Sequence, residues 1–515
     1  MKRRIAETFL MIGAVYRALT FTGPALWYDE AFTLELARRP LFDMIRLAIS
    51  DFSPPLLEIV VAPFVRISES LFALRFPSLA ASILALWLIW LILNELQATD
   101  SQRLFICALV AFVPAGLWMA SDTRVYAILS ALYLAAAFFA IRGQWLGLTA
   151  ACGLMLCAHI TAPAFVVGCL ALALMLHPAE WRKVALSGVG ASLALIPWAA
   201  TLTQGAGAED FWLWPLTLPA FTNSLGYAIW AGAFEGLPLI LSMLLLGFYL
   251  LMAISITISV SAPLLFRAAS KNTETVRGIL RLSKWSAPLA DKVNAPKPVS
   301  KRDGDQLISP LAVLVFVPLA LFLGVSVFYA NVTYYRPLMV LVFPLFMWVG
   351  SATAPSEFKP GKLILPGLWG LVLIAGLVSY NPARKGGELD AMSAHINDNW
   401  RAGDVVYYVT GTAALPFDYY LGDKPAYILD EELHAGLLQT HLQEAFGYRR
   451  AALESLDCQR AWVIWPADPM IDDTARERMA GEIGRGRFNL VGIVDYWQAA
   501  DIEVYLVEGA CDVDM

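Results

Sequence analysis

The sequence is poor in charge. Of 515 residues only 16% are Asp, Glu, Lys or Arg, 58% are hydrophobic, and the mean hydropathy is +0.60. A soluble domain carries nearer a quarter charged residues, so a water-surrounded globule is excluded. Runs approaching the ~20 apolar residues that cross a bilayer are read as spans. The six cysteines contain no Cys-x-x-Cys pair, which removes zinc-ribbon and dithiol redox motifs. Cys107, Cys152, Cys157 and Cys169 lie in apolar runs and read as small buried hydrophobes. No glycine-rich phosphate loop occurs, so a nucleotide site is not indicated, and nothing suggests a nucleic-acid partner. The basic start Lys2-Arg3-Arg4 precedes an apolar run without a small-x-small cleavage site, which predicts a retained first span. Internal repeats are also missing.

What is present is a succession of about eleven predicted transmembrane helices. They cover 5–25, 71–93 and 104–120, then four runs ending near 141, 158, 177 and 200, then 237–266, 310–330, 338–350 and 363–380. Arg17 lies inside the first, where it either snorkels or faces the bundle and a lipid phosphate. Residues 267–309 hold nine lysines and arginines, which predicts a cytoplasmic loop that touches anionic membrane lipid. That orientation leaves the tail outside. The loop 201–236 has aromatics but no lysine or arginine, and reads as an interfacial belt or as the lining of an isoprenoid or sugar groove.

Charge returns in the tail, 381–515. Strand-like stretches at 405–409, 426–429, 461–465, 490–494 and 503–507 alternate with helical patterns around 412–421, 432–446 and 471–484. The alternation predicts a small α/β domain, read as a scaffold or acceptor-docking domain. The fold class is therefore mainly α: a polytopic helical membrane domain, 1–380, followed by a C-terminal extracytoplasmic α/β domain, 381–515. Cys458 and Cys511 flank two of the strands, and an exported tail permits a disulfide between them.

The chemistry concentrates in residues 26–55, just after the first span. Asp29 and Glu30 stand side by side, Arg38, Arg39 and Arg46 follow, and Asp51 precedes Pro54-Pro55. Acids at a membrane segment cost about 2.5–3.5 kcal/mol each on insertion scales, so a functional loop is the sharper reading beside an ordinary solvated one. Residues 33–50 have an amphipathic pattern suited to the membrane surface, with a break predicted at Pro40. Residues 54–66 open on two prolines, which suits a helix start, and are too short to cross. Further along, the short turn 121–126 holds Asp122, Arg124 and Tyr126, and Asp122 and Arg124 are also able to pair with each other. His159 closes a span, as an interfacial cap or as a site residue. Tyr335 and Arg336 sit in another outer turn.

Trp27-Tyr28-Asp29-Glu30-Ala31, Ser53-Pro54-Pro55-Leu56 and Leu74-Arg75-Phe76-Pro77-Ser78 resemble the polytopic glycosyltransferases of the GT-C fold. The pattern is closest to the protein mannosyltransferase and aminoarabinose transferase group (glycosyltransferase family 39-like). The resemblance is strongest over the first 170 residues. It departs at Ser53, where the group commonly has histidine before the two prolines. It implies an enzyme that takes a sugar from a polyprenyl-phosphate donor and passes it, with inversion, to a lipid, glycan or protein acceptor outside the cytoplasm. It implies a bacterial inner membrane protein with its active site on the periplasmic side. The essential acid of the family's first outer loop falls on Asp29, with Glu30 beside it. Asp122 joins them as a catalytic candidate, and Asp51 as an acceptor or metal residue. Arg75, Arg124, Tyr126, His159, Tyr335 and Arg336 are the candidates for donor phosphate and sugar. Tyr126-Ala127-Ile128 resembles a Tyr-Ala-Leu motif of the group, and Tyr334-Tyr335-Arg336 its late aromatic-arginine motif. No cofactor is required by the sequence; a divalent metal between Asp29, Glu30 and Asp51 is a second use of the same acids. The rival class is a transporter or flippase of a lipid-linked sugar, which usually has midplane charges and internal repeats.

Overall fold

A computed structural model describes residues 1–51, 53–198, 217–231, 305–328, 335–354, 364–380, 389–409, 411–429, 440–451, 460–466, 488–496 and 502–509. The predicted run at 237–266, most of the basic loop, most of the loop 201–236, the helical pattern at 471–484, and Cys458 with Cys511 lie outside the described residues.

Helices α1 (Lys2–Thr20), α5 (Leu71–Glu95), α6 (Asp100–Phe112), α7 (Pro114–Ala120), α8 (Tyr126–Arg142), α9 (Trp145–Leu156), α10 (Ala162–Leu176) and α11 (Trp181–Ser192) form the first part of an apolar bundle. Helix α5 packs on α8, and α1 on α6. Between α1 and α5 lie three short helices: α2 (Tyr28–Ala37), α3 (Leu41–Ser50) and α4 (Leu56–Val65). The predicted break falls where expected, because Pro40 is the N-cap of α3, and Pro55 that of α4. At ten residues α4 is about 15 Å long, half a hydrocarbon core, and so too short to cross.

The chain is an integral membrane protein, and among the described residues apolar helices fall within the predicted runs, but most are too short to cross alone or are broken. Among the described residues Leu71–Glu95 and Pro310–Phe328 are long and apolar enough to cross a bilayer unbent. Two further pairs qualify together: Asp100–Phe112 with Pro114–Ala120, bent by 52°, and Ala162–Leu176 with Pro178–Pro197, bent by 115°. Proline stands at both breaks. It lacks the N–H that would continue the ladder and holds the preceding residue extended, as at Val113 with φ −61° and ψ 127°.

The first of these breaks has a partner. Pro114 leaves the Val110 carbonyl without its intrahelical donor. Arg17, fully buried in α1, fills the gap: Nη1 donates to the carbonyls of Ala111 (2.6 Å) and Gly13 (3.0 Å), Nη2 to Val110 (3.2 Å), and Nε to Ser82 Oγ (3.0 Å). Arg17 therefore neither snorkels nor meets a lipid phosphate. It caps a broken span. Gly116 makes room for it, since a Cβ there would sit 2.6 Å from Nη2.

The tail is a six-stranded mixed sheet in the order β3-β2-β1-β4-β6-β5, with β1 (Val405–Tyr408), β2 (Ala426–Leu429), β3 (Arg449–Ala451), β4 (Arg460–Pro466), β5 (Phe488–Tyr496) and β6 (Ile502–Gly509). The five predicted strands are found. The short edge strand β3, with two arginines in three residues, carries no apolar alternation to reveal it. The helix Gly411–Leu421 follows β1 and packs on α2. Its Tyr420 Oη accepts the Leu26 N–H at 2.7 Å, and Tyr419 Oη donates to the Glu69 carbonyl at 3.2 Å. Phe446 packs edge-on against Phe32. The tail thus grips the segment that leads into Asp29.

Candidate active site

Trp27 is the extended N-cap of α2, so Asp29 and Glu30 fall in its first turn, where the helix dipole favours acids. Successive side chains on a helix diverge by about 100°, and the two carboxylates accordingly serve different surroundings. Asp29, 9% exposed, faces the site. Its Oδ2 accepts from Arg336 Nη1 at 2.5 Å and lies 3.7 Å from Arg124 Nε.

Glu30 turns the other way and is fully buried with Arg75. The pair is bidentate, with Nε to Oε1 at 2.8 Å and Nη2 to Oε2 at 2.6 Å. Arg75 also donates to the carbonyls of Phe21, Pro24 and Ala25, and the Thr123 N–H donates to Glu30 Oε1 at 2.8 Å. A guanidinium has five N–H donors, and here all five have acceptors. Arg75 therefore has no donor left for a ligand phosphate. Together these two residues pin the end of α1, the start of α2 and the turn before α8.

Asp122 is also withdrawn, at 3% exposed. It accepts the indole N–H groups of Trp27 and Trp118, each at 3.3 Å, and Arg124 turns to Asp29 rather than to this sequence neighbour. The Trp27 so held lies under the Arg336 guanidinium, 4.6 Å from ring centroid to Cζ, a cation–π distance. Tyr335 Oη accepts from Arg336 Nε at 3.0 Å, and the Tyr335 ring packs 4.3 Å from that of Tyr227. Asp122 orients the aromatic wall that holds Arg336.

On the far side, Tyr126 Oη lies 3.4 Å from His159 Nε2. His159 Nδ1 is 2.7 Å from Thr161 Oγ1 and accepts the Thr161 N–H at 3.2 Å. Loss of water, with Arg124 and Arg336 nearby, pushes the imidazole down to about 3.

Two further acids lie close by. Asp51 is the C-cap of α3; burial, opposed by Arg124 and reinforced by Asp29 and Glu58, pushes it up to about 7. Glu58 on α4 is 2% exposed, and its Oε2 has no hydrogen-bond partner among the described residues. Burial, opposed by Arg124, raises it too to about 7. The same surroundings keep the Tyr28 phenol well above its ordinary range, through burial first and then Asp51 and Asp29. Sequence reasoning passed over Glu58. Its signal was a single acid in the otherwise apolar LLEIVVAPFV.

Glu58 gives a pH prediction. Its folded value lies above that of an unfolded glutamate, so its contribution to stability is present in full below about pH 4 and is lost as pH rises through about 7. Glu58→Gln keeps the neutral shape. Thermal unfolding in detergent should show the variant equal to the native chain near pH 4 and more stable by about 3 kcal/mol at pH 8. A difference that does not change with pH rules this out.

The structure thus groups Asp29, Arg124, Arg336, Tyr335, Tyr126, His159 and Asp51 in one cluster, and sets Glu30, Arg75 and Asp122 behind it as supports. Among the described residues no three His, Cys, Asp or Glu side chains converge as metal ligands. Both Glu30 oxygens accept from Arg75 in this structure.

No family model matches the chain, and no curated protein matches it by sequence. Solved structures do. ArnT from Cupriavidus metallidurans bound to undecaprenyl phosphate aligns over 97% of each chain, with a TM-score of 0.53 at 11% identity. The same protein in the apo state aligns over 97% of this chain and 98% of that one, with a TM-score of 0.53 at 13% identity. The likeness shows the fold: a GT-C-like, mainly helical membrane fold with a small sheet region at the C-terminus.

Proposed function

We propose that this chain is a membrane glycosyltransferase that moves a sugar from a polyprenyl-phosphate donor to a lipid, glycan or protein acceptor. The proposed face is the periplasmic side of a bacterial inner membrane. One observation carries the reading: the Asp29 carboxylate stands between two guanidiniums, Arg336 and Arg124, in the first turn of the helix that follows α1. Arginine suits a phosphodiester, which it meets with paired N–H bonds. The structure of similar fold holds undecaprenyl phosphate, the lipid phosphate that such a diester releases when its sugar is transferred.

In this mechanism the donor phosphate draws Arg336 and Arg124 toward its oxygens and frees Asp29 to face the acceptor. The acceptor oxygen attacks the anomeric carbon, the bond from that carbon to the phosphate oxygen breaks, and the electron pair leaves on the phosphate. Asp29 takes the acceptor's proton. Attack opposite the leaving group inverts the anomeric centre.

A labelled polyprenyl-phosphate sugar supplied to the purified chain with candidate acceptors tests the reading. Label should pass to an acceptor; movement of intact donor across vesicles without transfer would point to a flippase instead. Orientation has its own check. Lys183→Cys and Asp398→Cys, both exposed positions, should react with an impermeant thiol reagent from opposite sides of sealed membranes. Labelling from the same side rejects the periplasmic site.

A further inference from the structure

One contact assigns the tautomer of the His159 ring. Its Nδ1 receives the backbone N–H of Thr161 at 3.2 Å. A backbone amide only donates, so Nδ1 is an acceptor and carries no proton. The Thr161 hydroxyl, 2.7 Å from the same nitrogen, adds a second donor. A neutral imidazole has one N–H, which then sits on Nε2 and points at Tyr126 Oη, 3.4 Å away. Tyr126 accepts there, so its own proton must point elsewhere. The phenol is 5% exposed, and among the described residues no acceptor for that proton is found. Arg124 and Arg336 are both near enough to act on the phenol's charge, and both meet Asp29.

We infer that Thr161, His159 and Tyr126 form a one-way hydrogen-bond relay that presents the Tyr126 hydroxyl proton to a phosphate oxygen of the bound ligand. Here Tyr126 is the residue that touches ligand, and His159 and Thr161 position it. The inference rests on the proposed polyprenyl-phosphate donor and refines it. A phosphate oxygen accepts from Tyr126 as well as from the two guanidiniums. The imidazole stays neutral beside those two cations, in keeping with its low value, so it does not itself act as a third cation for the phosphate.

The test uses the full chain in detergent micelles, with two probes, undecaprenyl phosphate and inorganic phosphate. Binding is followed by calorimetry. Tyr126→Phe should weaken whichever probe binds by roughly tenfold, the size expected for a hydrogen bond to a charged group. His159→Phe should cost three- to tenfold, and the double variant no more than Tyr126→Phe alone, because both remove the same contact. His159→Gln, whose amide can still donate toward Tyr126, should recover most of the loss. The deficit of Tyr126→Phe relative to the native chain should be equal at about pH 5.5 and pH 8. Nitrogen NMR of histidine-labelled native chain gives a readout that needs no variant of Tyr126. His159, identified by its absence in His159→Gln, should show a pyridine-type Nδ1 and a pyrrole-type Nε2 from about pH 5 to pH 8. If undecaprenyl phosphate binds the native chain and Tyr126→Phe equally, the relay is wrong and the donor assignment stands. If neither probe binds the native chain, both fall. A protonated ring at about pH 6, or the opposite tautomer, overturns the relay alone.

Discussion

Asp29→Asn should lower sugar transfer by roughly 10²–10⁴-fold, about 3–5 kcal/mol of barrier, while leaving the fold in place. The amide is close to isosteric and can still accept from Arg336 through its oxygen. What it loses is the ability to take a proton and the charge that Arg336 and Arg124 share. The loss should appear in kcat at saturating donor. Arg336→Ala should behave differently: it removes a cation from the donor's phosphate and the roof over Trp27, so it should raise the KM for donor more than it lowers kcat. An Asp29→Asn chain that purifies normally and transfers at the native rate would remove Asp29 from the chemistry.

Glu30→Gln, one residue away and equally conservative, should fail in the opposite manner. The change leaves Arg75 fully buried and charged among carbonyls, without its bidentate partner. Removing one member of a buried ion pair typically costs about 3–5 kcal/mol, because the remaining charge is uncompensated. The expected result is a chain that unfolds at lower temperature and yields little protein, with activity per folded molecule close to native. Arg75→Met with Glu30→Gln, which removes both charges, should restore much of the stability. If Glu30→Gln is as stable as the native chain but inactive, Glu30 belongs to the chemistry and the division between the two acids is wrong.

That division shows what the sequence could and could not disclose. The acidic pair was visible as a costly feature beside a span, and the resemblance around Trp27–Ala31 pointed to Asp29. The prolines at 40, 54 and 55 placed the breaks of the first loop correctly. The separate duties of Asp29 and Glu30 follow from a helix that begins at Tyr28, whereas the apolar pattern announces helix only from residue 33 onward. Arg75 was taken for a phosphate ligand because an arginine at a span end suits one. Only its three carbonyl partners, brought in from the end of α1, show that its donors are used up. Asp122 looked like a catalytic acid or a mate for Arg124, yet its partners are tryptophans far apart in sequence or one turn back. The carbonyl partners of Arg75 and the Trp27 partner of Asp122 are long-range, and spacing along a chain does not encode such partners.

Arg17 has a consequence for how the protein is made. Its partners, the carbonyls of Val110 and Ala111, follow it by 93 and 94 residues. At about 5–20 residues synthesised per second, they emerge roughly 5–20 s after the first helix. During that interval the helix must carry an arginine without the groups that later satisfy it, a placement that costs about 2.5–3.5 kcal/mol at mid-bilayer. The first helix should therefore linger at the insertion machinery or the membrane surface, and settle across the bilayer only once the span broken at Pro114 arrives.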